Sequence, residues 1–282
     1  MKKIKQDILT KVIKVRASKS HKGNFGRILL IGGNKEYGGA IIMAAEGALN
    51  AGAGLVTVAS DSINMTALHT RDPEIMFLDW NDESTLIQMI AKADVVVCGM
   101  GLGEDQQAKK ILKLIKAHLT SKQTILYDAS ALDLIAKDKS LLAKQAKMVI
   151  LTPHQMEWQR LSKIKIAEQT NVKNQEVLQK MFPAGNIILV LKSNHTKVYY
   201  RNQIYLNPLG NPGMATGGMG DTLAGMIGSF CGQFKTSLET VMAAVYLHSL
   251  AGDEIYKNNY LVRPTKLSAS LPHLMSVYCE KF

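Results

Sequence analysis

Six short stretches of this chain run apolar without a polar–apolar alternation, and that constrains its fold more than any other feature. They are Ile28-Leu29-Leu30-Ile31, Leu55-Val56-Thr57-Val58, Val95-Val96-Val97-Cys98, Thr124-Ile125-Leu126-Tyr127, Val149-Ile150-Leu151 and Ile187 to Leu191, each followed by glycine, proline or polar turn residues. A strand with one face in water alternates; one covered on both faces does not. Helical patterns lie between them. The clearest is expected to begin at Glu104, with Ala108, Ile111, Leu112, Ile115 and Leu119 on one face. Glu104 and Asp105 sit in its first turn and Lys113 and Lys116 lie later, the charge order that a helix dipole favours. Strands alternating with helices indicate an α/β fold, a three-layer αβα sandwich around a mostly parallel sheet. Lys197 to Tyr200 and Gln203 to Leu206 flank Arg201-Asn202 and read as an antiparallel hairpin at an edge. A glycine-rich segment follows, then a long helical tail from about Thr236. No repeat or low-complexity linker divides residues 1–282, so a single domain is expected.

Hydrophobic residues make up 46% and charged residues 20% of the 282, which excludes a disordered chain and a disulfide-rich miniprotein. The net charge of +11 suggests an anionic partner. The lysines are scattered rather than clustered with aromatics, which ranks nucleic acid low. Cys98, Cys231 and Cys279 form no C-x-x-C pair and fit a reducing compartment. The basic N-terminus lacks an apolar core of signal-peptide length, and no apolar run approaches the roughly 18–20 residues of a membrane span. A cytoplasmic protein without membrane or nucleic-acid partners is expected.

The strongest chemical signal is the segment from Asn211 to Asp221, Asn-Pro-Gly-Met-Ala-Thr-Gly-Gly-Met-Gly-Asp, opening an apolar run. Gly217, Gly218 and Gly220 let the backbone approach a ligand, and a glycine turn opening a helix offers free N–H groups to an anion. Asp221 then serves either as a base towards a bound hydroxyl or, with Thr216 as cap, merely as a dipole partner. Cys98-Gly-Met-Gly-Leu-Gly103 lacks the third glycine of a dinucleotide fingerprint, and the 32–39 loop lacks the ending of a P-loop. Both read equally well as structural turns. His154 follows the strand ending near Leu151 and lies three residues before Glu157. It is either a ligand contact beyond a strand end or a capping or surface histidine. Lys192-Ser-Asn-His-Thr196 also follows a strand and suits a nucleotide or a solvated hairpin lead-in. The fourteen methionines read as core filler, and the seven histidines show no H-E-x-x-H spacing.

These stretches together resemble the ADP/ATP-dependent NAD(P)H-hydrate dehydratases of the ribokinase-like superfamily. His21-Lys-Gly-Asn-Phe-Gly26, Leu29 to Gly33, Ala51 to Thr57, Gly99 to Gly103, Thr152 to Glu157, Arg160-Leu161, Leu191-Lys192, His195-Thr196 and Asn211 to Asp221 match in the family's order, over nearly the whole chain. The resemblance implies a ribokinase-like fold and repair of hydrated NADH or NADPH. ADP (or ATP) would phosphorylate the new ring hydroxyl, and phosphate would then be eliminated, leaving NAD(P)H, AMP and phosphate. It implies Asp221 as base at the substrate hydroxyl, and Ala40, Gly103 and His154 at the hydrate site. Lys192, Ser193, Asn194, His195 and Thr196 would hold the AMP part together with Gly220, and Gly218 and Gly220 would form an anion hole. Glu157 would support Mg²⁺ through water, and the assembly would be a homotetramer.

Two departures stand out. Many members have Lys-Gly-Ala-His-Thr where this chain has Lys192 to Thr196; if the glycine position needs positive φ, Ser193 is strained. Many have Asp-Ala-Asp-Ala-Leu, and here the third residue is Ser130, so the sequence assigns Asp128 no role. The competing readings are a ribokinase-like kinase of a vitamin precursor or sugar, which releases a stable phosphoester, and a nucleotide-binding regulator without turnover.

Overall fold

The apolar runs become the central strands of a ten-stranded sheet in a computed structural model, which describes residues 1–279. In chain order the strands are β1 (Lys2–Lys3), β2 (Arg27–Ile31), β3 (Leu55–Ser60), β4 (Met76–Asp79), β5 (Val95–Cys98), β6 (Thr124–Tyr127), β7 (Met148–Leu151), β8 (Ile187–Leu191), β9 (Lys197–Tyr200) and β10 (Gln203–Leu206). The helices are α1 (Asp7–Val12), α2 (Gly38–Asn50), α3 (Met65–Arg71), α4 (Glu83–Lys92), α5 (Gln106–His118), α6 (Ala129–Lys137), α7 (Gln155–Ser162), α8 (Asn171–Met181), α9 (Met219–Gln233), α10 (Leu238–Tyr256) and α11 (Pro264–Tyr278). Across the sheet the order is β1-β10-β9-β8-β7-β6-β5-β2-β3-β4. The pairs from β8 to β4 are all parallel, and β9 is antiparallel to both β8 and β10. The hairpin thus lies at one edge, with two-residue β1 parallel outside it. β1 has no apolar run, β4 lies in the short run Ile75-Met76-Phe77-Leu78, and neither was expected from the sequence.

The missing alternation has a direct cause. Ile28, Leu30, Val95, Val97 and Leu126 face one apolar core with α1, α2, α9, α10 and α11, while Leu29, Ile31, Val96, Cys98 and Tyr127 face a second with α4 to α8. Both faces of the sheet are dry, so both sets of side chains are apolar. The three layers of the expected sandwich are these helix sets and the sheet between them.

Two local expectations are corrected. α5 starts at Gln106 rather than Glu104, because the Asp105 carboxylate accepts the Ala108 N–H at 2.8 Å and so stands outside the helix as its cap. Glu104 pairs instead with Lys137. The tail is two helices, α10 and α11, separated by residues 257–263, with Pro264 starting the second. α2 and α9 pack in close contact because position 225 is glycine. A Cβ there would fall inside the van der Waals radius of the Ala44 carbonyl oxygen. This packing seats α9 across the sheet. Among the described residues no helix is long and apolar enough to cross a membrane, and Cys98, Cys231 and Cys279 are free.

Candidate active site

Parallel strands bring their carboxyl ends to one edge of a sheet, where open α/β folds bind ligands. Four adjacent strands end there and hand over to chemically active residues. β5 leads into Gly99–Gly103, β6 into Asp128, β7 into Thr152–His154, and β8 into Lys192. Beside them lies a cavity of about 820 Å³, lined by His154, Lys192 to Thr196, Leu209 to Pro212, Gly220 and His248, among others.

The first turn of α9 closes one side of the cavity. Its N-cap is Gly218, at φ 92°, with no side-chain cap. A left-handed residue of this kind is inexpensive only for glycine. Thr216 does not cap the helix, contrary to the simpler reading; its hydroxyl donates to the Val262 carbonyl at 3.3 Å. The leading N–H groups, which have no intrahelical partner, are left without a side-chain acceptor. Asp221 stands in this turn. Burial and the neighbouring Asp128 push its carboxyl up to about 7, against the pull of Lys192. His248 of α10 braces the turn from below, its Nε2 3.2 Å from the Met219 carbonyl, and burial depresses its pKa to about 4.

Lys192 is bound at the strand ends and lies beside this turn. Its backbone N–H donates to Pro153 O at 2.8 Å, and its ammonium meets Asp128 Oδ1 at 2.7 Å. A Cβ on Gly220 would lie 3.1 Å from that nitrogen. Burial alone would lower the Lys192 pKa, but Asp128, Glu157 and Asp221 reverse the effect and raise it. Asp128, the residue with no role from sequence, is therefore part of the site. The same strand-end position that singled out His154 and Lys192 would have found it.

His154 performs the structural task that was its simpler reading while also lining the cavity. It caps α7: Nδ1 accepts from the Met156 and Glu157 N–H groups at 3.1 and 3.2 Å, and Glu157 Oε2 accepts the His154 N–H at 2.8 Å. This reciprocal pair is a capping box. A ring nitrogen that accepts two N–H groups carries no proton, so the ring proton is on Nε2. Burial and Lys192 both lower the His154 pKa. Glu157 is buried, and burial, with help from Asp128, raises its pKa despite Lys192.

Ala40 and Gly103 do not line this cavity. They belong to a neighbouring pair of loops, where Gly33 N–H donates to Met100 O at 2.9 Å and Asn34 N–H to Gly101 O at 2.7 Å. Ala40 packs beside Gly101 and Gly103 beside Asn34. Ser193 does not occupy the left-handed region, so its replacement of glycine carries no backbone strain; the non-glycine residues that do are Ala129, Lys163, Arg201 and Lys235. Among the described residues no group of three His, Cys, Asp or Glu side chains could hold a metal ion.

A family model described as NAD(P)H-hydrate dehydratase matches residues 28–273. An ADP-dependent (S)-NAD(P)H-hydrate dehydratase of Enterococcus faecalis is 47% identical over 280 residues, covering 99% of this chain and 94% of its own length. A crystal structure of a ribokinase-like superfamily protein from Enterococcus faecalis superposes with TM-score 0.95 at 45% identity, covering 99% of this chain and 97% of that one. An ADP/ATP-dependent NAD(P)H-hydrate dehydratase of Bacillus subtilis, co-crystallised with ATP and Mg²⁺, shares the fold at TM-score 0.83 and 24% identity, over 98% of each chain.

Proposed function

The chain belongs to the NAD(P)H-hydrate dehydratase family, and on that premise we propose that it is an ADP-dependent (S)-NAD(P)H-hydrate dehydratase whose reaction is run by the α9 turn and the four strand ends. The observation that carries the assignment of roles is Asp221. It is a carboxylate with its pKa raised to about 7, standing beside uncapped helix N–H groups and a half-buried lysine.

A base works best when its pKa lies near the working pH, and Asp221 is suited to take the proton from the ring hydroxyl of the hydrate. The freed oxygen attacks the terminal phosphorus of ADP, and AMP departs. The ring C–O bond then breaks with phosphate as the leaving group, and a neighbouring ring carbon gives up a proton to restore the double bond. Hydroxide leaves poorly and phosphate well, which explains the order. The N–H groups at Gly218 to Gly220 and the Lys192 ammonium suit the charge on the transferring phosphoryl. Lys192 to Thr196 and Gly220 suit the AMP part. Among the described residues the buried Asn211 Oδ1 has no partner, and it offers an acceptor to a ligand donor in the same cavity. Ala40, Gly103 and His154 are assigned to the hydrate, with the His154 Nε2–H as donor.

The residues fit a magnesium ion carried by the nucleotide, since Mg²⁺ commonly keeps several waters and binds through phosphates with one or two carboxylates. Glu157 would support it through water, and the ion would supply neutralisation of phosphate charge. A homotetramer, one domain over 1–282 and a cytoplasmic setting belong to the same reading.

Incubation with NADH hydrate and ADP tests it. NADH absorbance should return with equal yields of AMP and phosphate. Accumulation of a stable phosphoester would favour the kinase reading, and binding without turnover the regulator.

A further inference from the structure

We propose that Asp128 is a positioning residue, which holds the Lys192 ammonium against the first turn of α9 so that it meets the terminal phosphoryl group of the nucleotide rather than its AMP part. This rests on the repair reading above and goes beyond it in separating the lysine's side chain from its backbone.

The backbone at Asp128 is built for this orientation. Asp128 occupies the N-cap position of α6 in extended geometry, yet it caps nothing. The aspartates at the starts of α4 and α5 each accept an N–H of their own helix. At α6 the next residue, Ala129, sits at φ 46°, a conformation that is costly for a residue with a Cβ and that marks functional positions when it persists. The carboxylate is thereby released from its helix. Among the described residues its one hydrogen-bond partner is Lys192, at 2.7 Å, with the carboxylate side chain 1% and the lysine side chain 20% exposed.

The pair has a direction. Asp128 Oδ2 lies 3.9 Å, and Lys192 Nζ 3.1 Å, from where a Cβ on Gly220 would stand, so both charged groups face the uncapped turn where a phosphoryl oxygen is expected. The Lys192 main chain is fixed separately by its bond to Pro153 and its bridge to His154. Only the side chain needs Asp128 to aim it. A four-carbon stem with free rotors is poorly oriented unless an acceptor holds it, and a misplacement of about 1 Å at a reacting centre can cost ~10²-fold in rate.

A double-mutant cycle tests this. Asp128→Asn, Lys192→Met and the double variant are compared for kcat, read as AMP formation from ADP, and for ADP affinity by calorimetry. Asp128→Asn should lower kcat by ~10²-fold with ADP affinity changed less than about threefold, because the lysine keeps its charge and the backbone contacts of the nucleotide stretch remain. In the Lys192→Met background the same change should lower kcat no further. Equal losses in the two backgrounds, or an ADP affinity that falls in step with kcat, would overturn the proposal. Should Asp128→Asn fail to fold with its lysine unpaired, the comparison of Lys192→Met with the double variant still decides, since neither holds the unpaired lysine and a further loss refutes the role. AMP formation is shared by a repair enzyme and a kinase, so NADH recovery in the wild type judges the repair reading separately.

Discussion

Replacing Asp221 by asparagine removes a charge and a proton acceptor while conserving shape. The two roles open to Asp221 predict opposite changes in stability. As a dipole partner it would stabilise α9, and its loss would cost about 0.3–1 kcal/mol. As a base held in a buried site it should destabilise the fold. Its pKa rises from 3.8 to about 7 on folding. Below the unfolded value both states hold the proton and the residue contributes nothing. Between about pH 4 and 7 the unfolded chain ionises while the folded one resists, and above 7 the full penalty applies. Some three units at 1.36 kcal/mol each give on the order of 4 kcal/mol. Lys192 would lose one of its carboxylate neighbours, so a net gain of about 1–3 kcal/mol is expected for Asp221→Asn at pH 8, vanishing near pH 4. Turnover should fall by roughly 10²–10⁴, or about 3–5 kcal/mol of barrier. Thermal unfolding at pH 4 and pH 8, kcat for hydrate repair and calorimetric ADP affinity measure all three. A variant that is less stable at pH 8 with near-normal kcat would refute the role of base.

Four further outcomes follow from the geometry. Lys192→Ala should raise the KM for ADP more than that for hydrate, by roughly 10- to 150-fold for a charge-assisted bond of about 1.5–3 kcal/mol; equal effects on both ligands would make the stretch scaffold. His154→Ala should lower stability by about 0.5–2 kcal/mol through loss of the α7 cap, whereas His154→Asn should keep the melting temperature and still raise the hydrate KM; an unchanged KM in both would leave His154 a cap alone. Because Asp221 must be ionised to act, kcat/KM should fall as pH drops through about 7, and Asp221→Asn should abolish that limb; a limb that persists belongs to another group. Gly225→Ala should cost about 1–3 kcal/mol by driving α9 from α2, seen as a lower melting temperature; an unchanged one would mean the helices part freely.

Some of this was legible in the sequence and some was not, for physical reasons. The central strands declared themselves because both faces are dry, whereas Lys2–Lys3 is exposed at the sheet's margin with no apolar signature, and the short run Ile75 to Leu78 that forms β4 at the other margin was overlooked. The α9 turn was visible because its geometry requires glycine. Asp128 was not. Its role depends on a partner 64 residues away and on Ala129 adopting an angle that alanine rarely takes. His154 was read as ligand contact or cap, and the structure shows a cap that lines the cavity. Spacing could not reveal that both hold at one position. The start of α5 was missed by two residues because a capping aspartate and a first-turn aspartate look alike until the N–H it accepts is known.

The central claim is that the ring oxygen leaves as phosphate, and an isotope label follows that oxygen directly. NADH hydrate carrying ¹⁸O in its ring hydroxyl is turned over with unlabelled ADP, and the inorganic phosphate is analysed by mass. Phosphorylation followed by elimination carries the label into phosphate, one ¹⁸O for each NADH recovered. Direct loss of water, with ADP hydrolysed alongside, leaves the phosphate unlabelled and would contradict the account.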